Sequence, residues 1–317
     1  MAALFRLTVV LALVIGLSGC SRLLFHPTTP WYQNPARQGL DYQDVVLIHA
    51  DGLRLHGWWL PAQGASRGSV YFLHGNGQNI STHLASVQWL PEQGFNVFLL
   101  DYRGYGFSEG KARYPEVLAD TQLGLDWLVN QKSSYGPITV FGQSLGGALT
   151  ARLMGDPENQ GKAACVVMEA SFASYRGITR DVMSQSWLLW PFRGITALGM
   201  PNASHDPEVW VGDISPTPLM IMHSEDDPIV PFAHGERLKS AANDPVRFLA
   251  VNGPHIAAMA DGRVQQQMVS FMRDHQCRRV FQRRTSPESN QNGANGNGNG
   301  NNNGVVPVPQ PPQDYSF

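Results

Sequence analysis

Six short apolar runs recur through the middle of the chain: Val70-Tyr71-Phe72-Leu73, Val97-Phe98-Leu99-Leu100, Ile138-Thr139-Val140-Phe141, Cys165-Val166-Val167-Met168, Leu219-Met220-Ile221-Met222 and Phe248-Leu249-Ala250-Val251. They show almost no polar alternation, the pattern of strands buried on both faces of a parallel sheet. The segments between them carry helical spacing. Tyr114 to Gln131, for instance, sets Leu118, Leu125 and Leu128 on one face, as a crossover helix requires. Ahead of the first run, Val45-Val46-Leu47-Ile48 and Leu53 to Leu60 meet around Asp51-Gly52 and read as an antiparallel hairpin. Hairpin and runs together predict an α/β domain over residues 40–282, with a mostly parallel eight-stranded twisted sheet flanked by helices. The stretch between Ser171 and Gly212 is too long for an ordinary strand-to-helix connection. It predicts a small helical cap at about 172–212, whose cluster Trp187-Leu188-Leu189-Trp190-Pro191-Phe192 is expected to roof a site and supply an apolar substrate wall through Trp187 and Trp190.

The ends differ from this middle. Arg6 precedes an apolar stretch from Leu7 to Leu17, too short for a comfortable membrane span, and Leu17-Ser18-Gly19-Cys20 follows it directly. The pattern resembles a bacterial lipobox, which implies a signal at 1–19 and acylation (including palmitate) of Cys20. Several acyl chains on one residue would anchor stably, where one chain would not. Residues 20–39, with Pro27, Pro30 and Pro35, read as a lipidated tether or an edge-packing arm. Residues 283–317 alternate Asn and Gly and then turn Pro-rich, a composition expected to stay disordered. The basic run Arg278, Arg279, Arg283 and Arg284 reads as a solvated end to the last helix.

Composition narrows the function. With 23 Lys+Arg against 25 Asp+Glu, the net charge of −2 gives no field for nucleic acid. Hydrophobic residues at 43% exclude wholesale disorder. Cys20, Cys165 and Cys277 are too few for a disulfide framework and match no zinc pattern, so Cys165 and Cys277 are expected to be free; no metal or cofactor is implied.

The polar residues with catalytic character fall just after the apolar runs, where ligands bind in open α/β sheets. Gly142-Gln143-Ser144-Leu145-Gly146 lies between a strand and a helical pattern. A strand turning at once into a helix strains its central residue and leaves no room for side chains two positions away. The bare motif is expected by chance about 0.2 times in a chain of this composition; its context gives it weight. His74-Gly75-Asn76-Gly77 follows an earlier strand and can aim the N–H of Asn76, together with that of Leu145, at a developing oxyanion. A serine needs a base and the base an orienting carboxylate. Candidates arrive in chain order: His223-Ser224-Glu225-Asp226-Asp227-Pro228-Ile229-Val230-Pro231, then Asn252-Gly253-Pro254-His255.

These four stretches, with Asp101-Tyr102-Arg103-Gly104-Tyr105-Gly106, resemble the α/β-hydrolase superfamily, in particular its small-cap, single-domain serine hydrolases of the esterase and serine-aminopeptidase-like kind. The resemblance spans about residues 40–282. It implies the α/β-hydrolase fold, a Ser144–His255–Asp227 triad with Asp227 chosen over Asp226 by its distance from the Val-Pro pair, and a structural role for Asp101 to Gly106. Tyr105 and Phe107 are expected near an acyl site. Ser224 stands where the family commonly has Gly. The function implied is hydrolysis of a small-molecule carboxylic ester or thioester by an enzyme tethered to membrane lipid through Cys20. A peptidase of the same fold and a catalytically idle, lipid-anchored scaffold are the alternatives. Ser21 is not the aspartate associated with inner-membrane retention, so the expected location is the cell envelope, on the outer membrane facing the periplasm in a Gram-negative host.

Overall fold

The computed structural model describes residues 24–131, 136–274 and 277. The expected signal, Cys20, the basic run and the Asn/Gly-rich tail lie outside the described residues. One eight-stranded sheet organises the rest. Its strands are β1 (Gln43–Ile48), β2 (Arg54–Leu60), β3 (Gly68–Leu73), β4 (Phe95–Leu100), β5 (Ile138–Gln143), β6 (Cys165–Glu169), β7 (Leu219–Ser224) and β8 (Val246–Val251), in the order β8-β7-β6-β5-β3-β4-β2-β1. The β1–β2 and β2–β4 pairings are antiparallel and the others parallel, as the hairpin and crossover patterns predict.

Both faces of the sheet are covered, which is why its inner strands are apolar throughout. On β3, Tyr71 and Leu73 enter one core with α1 (Glu116–Asn130) and α2 (Leu145–Gly155), while Val70 and Phe72 enter the other with α6 (Gly262–Arg273). Strand β8 departs from the expectation: it is only partly buried along its length, because as an edge strand it has a single neighbour.

The cap comprises α3 (Tyr175–Ser184), α4 (Arg193–Leu198) and short 3-10 turns. Helix α5 (Phe232–Ala241) follows the acid-bearing loop. The arm preceding the hairpin packs onto the domain: Leu24 and Phe25 are buried, and His26–Pro27 pairs in parallel with Gly77–Gln78.

The two described cysteines are not free. Cys165, at the start of β6, is disulfide-bonded to Cys277, just past α6, with Cα atoms 5.4 Å apart. The sequence conceals this because 112 residues separate them and only the packing of α6 against the sheet returns the chain to β6. Closing a loop of that length restricts the unfolded chain by an entropy worth about 4–5 kcal/mol. Replacing both cysteines with alanine should therefore lower the melting temperature by several degrees, and a reductant should produce a comparable fall in the wild type alone.

Candidate active site

Ser144 sits at the pivot between β5 and α2 with φ 53 and ψ −115, in the left-handed half of backbone space. Its N–H donates to the Glu169 carbonyl at 2.8 Å, which ties the turn to β6. A Cβ on Gly146 would run into the Leu73 carbonyl, and one on Gly142 into Gly146 and Thr150. Both glycines are therefore required by space. The strain, of order 1–3 kcal/mol, lifts the hydroxyl above the sheet beside the free N–H groups that begin α2.

Asp227 follows β7 and His255 follows β8. The imidazole Nδ1 donates to Asp227 Oδ2 at 2.7 Å, which leaves Nε2 for the cavity side. Asp227 Oδ1 accepts from the N–H groups of Ile229 and Val230 at 2.8 and 2.9 Å. Burial alone would raise this carboxyl, but the hydrogen bonds from His255, Val230 and Ile229 and the nearby imidazole hold it below its ordinary range. Asp226 is exposed while Asp227 is buried, so geometry separates two residues that are neighbours in sequence.

Ser144, Leu145, Asn76 and His255 line one cavity of about 480 Å³, whose remaining wall is chiefly apolar: Leu24, Phe172, Ile178, Val182, Met183 and Ile229. Asn76 is held by its own carbonyl, which accepts from the Tyr105 hydroxyl at 2.7 Å, and by its side-chain oxygen, which accepts from His26 N–H at 2.9 Å. A larger groove of about 760 Å³ lies between Trp89 and α6 and contains none of these residues. Among the described residues no group of three His, Cys, Asp or Glu side chains is placed to hold a metal ion.

Comparison with known proteins bears on the family and the fold. Residues 64–210 match the family model for serine aminopeptidase, S33. The uncharacterized protein YfhR of Escherichia coli K12 is 35% identical over 240 residues, covering 73% of this chain and 80% of that one. The chain belongs to the α/β-hydrolase superfamily. A lysophosphatidylserine lipase, ABHD12 of Xenopus tropicalis, is 28% identical over 69% of this chain and 55% of its own. Among solved structures, the Pyrococcus furiosus esterase Pf2001 superposes with a TM-score of 0.65 at 20% identity, over 79% of this chain and 97% of that chain.

Within this α/β-hydrolase the aromatic residues expected at the acyl site lie elsewhere. Tyr105 is fully buried behind Asn76. Phe107 is 40% exposed and packs on Trp31 and His56, outside the cavity. Trp187 and Trp190 are 86% and 52% exposed and do not line the cavity, because the chain leaves α3 pointing its apolar run outward. The apolar wall comes instead from α3 itself, whose Ile178, Val182 and Met183 recur at helical spacing.

Sequence reading missed Glu169 and gave Ser224 no role. Glu169 is buried at the end of β6; its Oε2 accepts from Gln143 Nε2 at 2.7 Å and its Oε1 from Ala258 N–H at 2.9 Å. One carboxylate thus joins the residue before Ser144 to the loop that carries His255. Burial raises its pKa, partly offset by those two donors and by His255. Ser224 donates to the Gly253 carbonyl and accepts from Asp226 N–H, joining the acid turn to the histidine turn. The available signal for Glu169 was its position: a carboxylate closing an otherwise apolar strand.

Asp101 and His74 form a buried pair at 3.7 Å beside the turn that carries Asn76. Burial pushes the Asp101 carboxyl up to about 8 and holds the His74 imidazole well below its usual range, so both are neutral near pH 7. Asp101 Oδ1 accepts from Ile80 N–H at 2.9 Å, which makes the residue a structural cap.

Two outcomes follow from these buried carboxyls. Glu169→Gln sets an amide N–H₂ against one of two arriving donors, at a cost of about 1–3 kcal/mol. It should lower the melting temperature and slow labelling of Ser144 by a fluorophosphonate. Between about pH 4 and about 8 folded Asp101 holds a proton that the unfolded chain has lost. Its contribution to stability is full below pH 4 and is lost as pH rises towards 8. Thermal melts across that window should show the wild type losing stability relative to Asp101→Asn as pH rises.

Proposed function

We propose that this α/β-hydrolase is a membrane-anchored serine hydrolase cleaving carboxylic esters or thioesters through an acyl-enzyme on Ser144. The observation that carries the reading is the 2.7 Å Asp227–His255 hydrogen bond opening onto the same apolar cavity as Ser144 and the start of α2. His255 accepts the Ser144 proton as the hydroxyl attacks the acyl carbonyl, and Asp227 holds the imidazole with Nδ1 protonated. The N–H groups of Asn76 and Leu145 take the oxyanion. His255 then protonates the leaving group and activates the water that frees the acid. The esterase and lipase among the similar proteins support this class of reaction.

An aminopeptidase reading is weaker on chemical grounds. A free α-ammonium group needs an anionic partner, and no Asp or Glu lines the cavity among the described residues. The scaffold reading has to explain why the strained elbow is retained at a cost in stability. Membrane attachment rests on the lipobox-like Leu17 to Cys20, and a disulfide accords with an oxidising envelope compartment such as the periplasm.

Fluorophosphonate labelling and ester turnover test the mechanism together. Ser144→Ala should abolish labelling, and both it and His255→Ala should cut turnover by about three orders of magnitude or more. Asp227→Asn should cost far more than Asp226→Asn, which leaves the triad intact. Full turnover in Ser144→Ala would sink the mechanism in favour of the scaffold, and a more damaging Asp226→Asn would reassign the acid.

A further inference from the structure

The segment that was expected to line the cavity instead forms an apolar surface at its mouth. Trp187, Leu188, Leu189, Trp190 and Phe192 are all exposed, with Trp187 at 86%, and Leu198 on α4 adds a further exposed apolar side chain at 68%. The surface continues to the cavity rim. Val182, one turn earlier on α3, is 43% exposed and lines the cavity, as does Ile229, 47% exposed. Gln185 at the end of α3 donates to the Pro228 carbonyl at 3.0 Å, so the outer end of the cap and the loop bearing Ile229 are adjacent.

Two observations identify what covers this surface. The first is where the chain outside the described residues begins. Leu24 is a cavity-wall residue, and Cys20 is four residues before it. Full extension allows at most about 14 Å between them. An anchor at Cys20 therefore brings a bilayer within about 14 Å of a residue of the cavity wall. The second is charge. From Phe172 to Pro201 the charged residues are Arg176, Arg180, Arg193 and Asp181, and Asp181 pairs with His234 at 2.9 Å. The Arg193 guanidinium lies 4.0 Å from the Trp190 ring centroid. Indole rings and arginine beside an apolar edge suit the boundary between acyl chains and anionic headgroups. No helix of the described residues is long and apolar enough to cross a membrane, so the contact is interfacial.

We infer that the cap edge from Trp187 to Phe192, with Leu198, is a bilayer-docking surface that seats the cavity mouth on the lipid interface. The inference rests on the membrane anchoring proposed above and gives it an orientation. An amphiphilic ester held in the bilayer then reaches Ser144 along the rim formed by Val182 and Ile229, without crossing water.

The full chain, processed by its native host, is reconstituted with vesicles of phosphatidylcholine and phosphatidylglycerol that contain a dibrominated phosphatidylcholine. Flotation reports anchoring, and quenching of tryptophan emission reports docking. Two of the chain's eight tryptophans lie on this edge. The wild type should float and lose about a quarter of its emission, on equal yields, to bromine near the headgroups. Trp187→Ser/Trp190→Ser should float equally, lose that quenching, and hydrolyse a vesicle-held ester about tenfold more slowly while a soluble short-chain ester is turned over unchanged. Equal quenching in both chains, or none in the wild type, overturns docking while leaving anchoring intact. A chain that stays in solution overturns both. Conversion of a dimer to a monomer by the double variant, without bromine quenching in the wild type, assigns the edge to a second copy and overturns the lipid contact. Wild-type quenching that differs between shallow and deep bromine positions reads the depth of insertion independently of how the variant folds, and quenching confined to neither position counts against docking.

Discussion

A strand that turns directly into a helix leaves its pivot residue no ordinary backbone conformation, and the site is built outward from that pivot. Ser144 is held at φ 53 because everything around it is over-determined. The Gly146 backbone lies against the Leu73 carbonyl, the Gly142 backbone against the next turn of helix, and the Ser144 N–H is spent on β6. The local strain buys a hydroxyl that stands clear of the sheet at the electropositive start of α2. The sheet order then decides which groups can reach it. Strands β3, β6, β7 and β8 end on the same side as β5, so their following loops converge there.

Convergence alone does not fix the mutual position of loops that come from different strands. Two polar ties do so in this molecule. Glu169 bonds to the residue before Ser144 and to the backbone beyond His255, and Ser224 bonds across from the Asp226–Asp227 turn to the turn before His255. The Glu169 tie is buried, where a hydrogen bond to a charged partner is worth more than at the surface, and the Ser224 tie is part-buried. The loop that carries the imidazole is thereby held on both sides of His255.

The features that could be read from the sequence are those written in adjacent residues. Apolar runs gave the strands, the Gly-x-Ser-x-Gly spacing gave the elbow, and chain order placed the acid and base candidates at strand ends. Features that depend on direction or on distant contact were not legible. Trp187 and Trp190 sit in the expected cap, but composition does not say towards which side a cap residue faces, and they face out. Tyr105 reads as a pocket aromatic yet supports Asn76 from behind. Pairing of Cys165 with Cys277 depends on how α6 packs across the sheet, which no local pattern encodes. Glu169 looked like the polar end of a strand until its two partners, 26 and 89 residues away, were in view.

The disulfide also gives the molecule a polarity from end to end. Cys165 opens β6, so it marks the edge of the sheet opposite to the one at which Glu169 meets the serine turn. Four residue steps of strand, from Cys165 to Glu169, separate the two ends by about 13 Å. The chain enters the described domain beside the cavity at Leu24 and is stapled at Cys277 to the opposite edge. The two ends of the described domain, Leu24 beside the cavity and Cys277 at the staple, thus lie towards opposite ends of the parallel strands.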